Sequence, residues 1–103
     1  MGLYLSMVSE NNEIILNKIK VLYIGSIFEK LLYNQIKNYM EIGKEYYLDL
    51  QDIPKIIKYY DDRISNIDDY YIRIVLYDMI LEPLKKEWDM RISKHKKYII
   101  KIE

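Results

Sequence analysis

The chain has 103 residues, with 16 basic and 16 acidic side chains, no cysteine and one histidine, a length that suits a single domain over 1–103 and lets it bury roughly two-thirds of the surface its unfolded form exposes. Zero net charge is unlike a strongly basic nucleic-acid binder or a polybasic membrane module, and the lack of cysteine together with the lone His95 excludes disulfides, thiolate zinc and a histidine-based metal site, so neither metal nor cofactor is expected. The longest uncharged apolar-rich run, residues 21–28, contains Gly25 and Ser26 and falls far short of the roughly 20 apolar residues that span a membrane.

At the start of the chain there is no basic segment followed by an apolar stretch, so an intracellular location is expected rather than secretion. Gly2 after Met1 matches a myristoylation pattern. The carboxylates Glu10 and Glu13 stand where a single acyl chain would need basic neighbours, and no lipid anchor is expected. Residues 3–8 can form a strand, and Ser9 can cap a helix covering Ile14 and Ile15.

From residue 19 onward the chain repeats itself. Val21-Leu22-Tyr23 returns as Val75-Leu76-Tyr77, Ile27-Phe28-Glu29-Lys30-Leu31 as Ile80-Leu81-Glu82-Pro83-Leu84, and Tyr46-Tyr47-Leu48-Asp49-Leu50 as Tyr98-Ile99-Ile100-Lys101-Ile102. Residues 20–50 and 74–102 thus align as two copies of one unit. Residues 19–24 and 72–77 are short, β-branched and aromatic, which reads as strands buried on both faces. Ser26 with Glu29 forms a capping box for a helix whose apolar face is Phe28, Leu31, Leu32, Gln35, Ile36 and Tyr39, stopped at Gly43. In the second copy Leu84, Trp88 and Ile92 share a helical stripe that starts near Pro83. Residues 45–50 and 97–102 alternate strictly, as half-exposed edge strands do.

Residues 51–69 link the copies and form a helix of their own, with Ile53, Ile56, Ile57, Tyr60 and Ile64 at helical spacing behind the N-cap Asp52. The expected fold is therefore α+β, an internally duplicated strand–helix–strand of the ferredoxin-like split βαβ kind with an added linker helix. The alternative joins Ile67, Tyr71, Ile74, Leu81, Leu84 and Trp88 into one long kinked helix of a mostly α protein. Val21, Leu22, Leu31, Ile74, Leu76, Leu84 and Trp88 are the expected core.

No constellation carries chemistry. His95 stands among lysines and reads as a solvated turn residue. Asp61-Asp62 and Asp68-Asp69 lack the spacing and glycine of a calcium loop and read as turn and cap residues. No catalytic residue is assigned, and no enzyme is expected. Residues 85–101 hold seven basic side chains against two acidic, and residues 45–69 seven acidic against three basic. The basic stretch is the basis of an alternative reading, a nucleic-acid-binding accessory protein. The leading reading rests on the twelve tyrosines. They exceed the needs of so small a core, and pairs such as Tyr46-Tyr47 and Tyr70-Tyr71 must send a ring outward. Tyr46, Tyr47, Tyr70, Tyr71 and Tyr98 are the candidate binding residues of a non-enzymatic module. It would bind a protein or peptide partner, or a second copy of itself, along an edge strand or in the groove between the copies.

Ile, Lys, Tyr and Asn make up 50 of the 103 residues, while Ala and Thr are absent. In this bias toward AU-rich codons the chain resembles the small orphan proteins of viruses that infect hyperthermophilic archaea, filamentous ones included. The resemblance is one of composition and carries no motif; what it implies is a viral protein working in a host cytoplasm.

Overall fold

The computed structural model describes residues 3–33, 35–36, 40–89 and 95–103, with residues 22–26 described by their backbone. The fold is α+β. Strands β1 (Tyr4–Ser9), β2 (Ile14–Lys20), β3 (Glu45–Asp49) and β4 (Lys97–Ile102) form one antiparallel sheet in the order β2-β1-β4-β3. Helices α1 (Val21–Leu31), α2 (Ile53–Ser65), α3 (Tyr70–Leu76) and α4 (Glu82–Asp89) supply the second layer.

Strands β1 and β2 make a hairpin. Ser9 caps its loop instead of a helix: the Ser9 hydroxyl accepts from the backbone N–H groups of Asn11 and Glu13 at 3.2 and 3.0 Å. Asn12 takes the left-handed conformation, φ 64°, that asparagine tolerates. A bulge follows in β2, where Leu5 faces Ile19 but Met7 faces Leu16. The extra residue lets Leu16 and Ile19, three positions apart, both enter the core, with Lys18 at φ 48° absorbing the bend. A spacing of three in a strand mimics helical periodicity, which is why Ile14 and Ile15 read as helix.

The two expected central strands are helical. β2 ends at Lys20 and α1 begins at once, the Val21 N–H donating to the Leu3 carbonyl at 3.0 Å. Ser26 is thus an interior position rather than a cap, and the helix ends near Leu32 rather than at Gly43. Gly43 does adopt a left-handed φ of 81°, but in the turn that feeds β3, where its N–H donates to the Ile102 carbonyl at 2.8 Å. Residues 72–77 likewise lie in α3 and the turn after it. Residues 20–50 and 74–102 do not form matching strand–helix–strand units: the first stretch opens on α1 as β2 ends, and the second opens inside α3, so the duplication and the split βαβ arrangement are not shown. The expected second strands do form, yet only β3 is an edge; β4 is central, between β1 and β3.

Part of the long helix of the alternative reading is present within the α+β fold, beginning at Tyr70 and leaving Ile67 in the connection before it. α3, a π turn at Tyr77–Leu81 and α4 follow without a break. Pro83 explains the π turn. Proline cannot donate to the carbonyl four residues back, and its ring crowds that carbonyl. The wider turn relieves the crowding, with the Glu82 N–H reaching the Tyr77 carbonyl five residues back.

The helices cover one face of the sheet. Leu5, Met7, Leu16, Ile19, Tyr46, Leu48, Tyr98, Ile100 and Ile102 pack against Phe28, Ile53, Ile56, Tyr60, Ile64 and Ile80 in a single core. The linker forms a helix over the shorter span Ile53–Ser65, with Ile53, Ile56, Tyr60 and Ile64 buried and Ile57 half-buried; Asp52 stands before it, but its carboxylate accepts from the Asp49 N–H and does not cap α2. Leu76 and Leu84 are also buried, and Val21 and Leu31 are half-buried. Ile74 and Trp88 are not in the core; Trp88 is 44% exposed. The buried stripe runs Ile80, Leu81, Leu84, Glu87; it shares Leu84 with the expected one but continues at Glu87, so Trp88 faces outward. Leu22, Tyr39 and Ile92 fall outside the described side chains.

Candidate functional site

Three places carry the side chains that sequence reasoning singled out. The first is the outward side of α3. Asp69 starts that helix, its carboxylate accepting from the N–H groups of Tyr71 and Ile72 at 2.9 and 3.3 Å. Leu76, Ile80 and Leu81 turn inward, leaving Tyr70, Tyr71, Ile72, Ile74, Val75 and Met79 exposed; Tyr70 is 66% and Tyr71 81% accessible. Between this face and the end of the β1–β2 hairpin lies a groove of about 330 Å³, walled by Tyr71, Ile72, Val75 and Met79 on one side and by Tyr4, Lys18 and Lys20 on the other. Its floor is apolar and its strand-side rim is basic.

The second place is the β3 edge. Alternation turns Tyr47 outward, 55% exposed, and buries Tyr46. The outward backbone groups of the edge are already engaged. Gln35 pairs with both of those on Tyr47, donating to its carbonyl at 2.7 Å and accepting from its N–H at 2.9 Å. The Asp49 N–H donates to the Asp52 carboxylate at 2.9 Å. Gln35 occupies the place that the backbone of an added strand would take.

The third place is internal and was missed. His95 is 1% exposed, not a solvated turn residue. Its Nδ1 lies 2.7 Å from Glu87 Oε1, and its Nε2 3.3 Å from Glu13 Oε2. The Tyr98 hydroxyl donates to the same Glu87 oxygen at 2.7 Å. This cluster ties α4, β4 and the β1–β2 loop together. Within the cluster Glu13 is exposed, while His95 and Glu87 are buried. The signals lay apart in the chain: Glu87 on the stripe of Ile80 and Leu84, and Tyr98 on the apolar phase of β4. Nothing in 94–97, a run of lysines around the histidine, marks His95 as buried.

Of the five candidate binding tyrosines, Tyr46 and Tyr98 are corrected to core residues; the Tyr46 hydroxyl accepts from the Glu41 N–H at 2.8 Å. Tyr70 and Tyr71 lie together on α3. Tyr47 is on the strand at the opposite edge from β2, so the structure does not gather the five. Of the expected acidic pairs, Asp68 lies in the connection before α3 and Asp69 caps that helix, whereas Asp61 and Asp62 are not turn residues but lie within α2; no group of three metal-ligating side chains occurs among the described residues. In the basic stretch Lys85, Lys86 and Lys101 face Asp61, Glu82 and Glu103 at 3.9, 3.3 and 3.3 Å, while Arg91 and Lys94 lie outside the described residues. No described helix is long and apolar enough to cross a membrane. No protein-family model, curated protein or solved structure matches the chain.

Proposed function

We propose that the chain is a non-enzymatic protein–protein interaction module whose contact surface is the outward face of α3 and the groove beside it. The observation that carries this reading is a helix apolar nearly all round that buries only one side. Such helices are ordinarily enclosed, and a contiguous exposed apolar patch on a small protein marks a binding surface. Tyrosines at its margin suit that role, since each offers a large rigid contact area and a polar tip. Docking on the helix face is favoured over strand addition at β3, whose outward amides Gln35 and Asp52 already hold. The nucleic-acid alternative is weakened by the carboxylates beside Lys85, Lys86 and Lys101.

Replacing Tyr71 and Val75 by glutamate tests the reading, because both are exposed and the core is untouched. In affinity capture from the native source, the double variant should lose the partners that the wild type retains while keeping its circular-dichroism spectrum. Equal retention by both proteins contradicts the proposal. So does tight DNA or RNA binding with a steep salt dependence, the signature of phosphate contacts.

A further inference from the structure

We infer that the occupant of the α3 surface is a second copy of this chain, packed about a two-fold axis so that Tyr71 of each copy sits over the groove of the other; the inference rests on the interaction-module reading above. A two-fold interface must be complementary to itself, each residue meeting a partner that it meets again on the other side. The α3 surface carries charges of both signs at its margin. Lys18 and Lys20 rim the groove on the strand side, and Asp68 and Asp69 stand exposed immediately before Tyr70 and Tyr71 on the helix side. In the inferred pairing the lysines of each copy meet the aspartates of its partner. These charges set the register of an apolar contact.

The area is sufficient. Tyr70, Tyr71, Ile72, Ile74, Val75 and Met79 together expose roughly 600 Å², taking ~150–250 Å² for a whole aromatic side chain and less for the others. Stable interfaces bury about 600–1,000 Å² per partner, so the patch reaches the lower bound before the groove walls are added. Tyr71, at the centre and the most exposed of the six, is the kind of residue that dominates binding energy when desolvated.

Sedimentation equilibrium of the wild type, of Tyr71→Glu and of a charge-swap series tests this. The wild type should associate at micromolar concentrations to twice its 12.6 kDa chain mass. Tyr71→Glu should weaken the dimer by roughly 30-fold or more, the loss typical of a hot-spot residue. Lys20→Glu and Asp68→Lys should each weaken it, and the chain carrying both should recover, because each reversed charge then meets a reversed partner. A dimer indifferent to Tyr71→Glu and to the swaps lies elsewhere and overturns the inference. A monomeric wild type overturns it as well; if that monomer still captures a partner in a Tyr71-dependent manner, the interaction-module reading survives, and if it captures none, both fall.

Discussion

Glu87 accepts two hydrogen bonds of 2.7 Å inside the protein, from the Tyr98 hydroxyl and at His95 Nδ1, and nothing about its neighbours in sequence announces it. Glu87→Leu removes the acceptor both groups share, and leaving a buried polar group without its partner costs about 1–3 kcal/mol. Chemical denaturation should show that loss, whereas Glu87→Gln, which keeps an acceptor oxygen in place, should cost clearly less. Tyr60 is the other buried polar side chain with a consequence. Burial pushes its phenol well above the ordinary tyrosine range, against a smaller opposing pull from the Arg63 charge. Folding therefore favours the neutral phenol. The resulting stability is fully present below the unfolded value of about 10 and drains away as pH rises above it. Tyr60→Phe should flatten this alkaline decline in stability, measured as the difference between the two proteins from pH 9 to 11.

Among the elements, α2 and β3 were legible because their patterns are unmixed: five apolar residues at helical spacing in one, strict alternation in the other. The failures share a physical cause. Residues 19–24 and 72–77 are short apolar runs without period, and such runs fit a buried strand or a helix equally well. The bulge in β2 sets Leu16 and Ile19 three apart and so breaks the alternation, while in α4 the buried stripe passes from Leu84 to Glu87 and not to Trp88, a choice between i+3 and i+4 that helical spacing leaves open. Two substitutions read this register. Leu84→Ala should cost about 2–5 kcal/mol as a core truncation, while Trp88→Ala should cost much less, the reverse of their sizes. Gln35→Ala tests the capping of β3: it frees both outward backbone groups of Tyr47, so the Tyr47 amide should exchange with solvent faster while the amides paired to β4 do not.

At the scale of the whole molecule, a four-stranded sheet covered on one face accounts for the core, and the binding surface lies on the helix layer rather than on the open face. The open face is mixed, with Val8, Ile99 and Tyr47 in one cross-strand row and Ser6, Lys101 and Glu45 in the next, a pattern that water tolerates. On α3 the charged Arg73 and Asp78 lie beside Tyr70 and Ile74, while the side toward the hairpin, with Tyr71, Ile72, Val75 and Met79, is apolar. Apolar excess in residues 70–79 was visible in the sequence, but its placement was not, because it read as two-sided strand burial when it is one-sided helix exposure. The central claim is that this face is covered when the protein works. Hydroxyl-radical labelling of Tyr70 and Tyr71, in the dilute isolated chain and in extract of the native source, tests it most directly. Strong labelling in isolation and marked protection in the extract, with Tyr47 unchanged as the internal reference, is the predicted result; equal labelling of Tyr70 and Tyr71 under both conditions would contradict it.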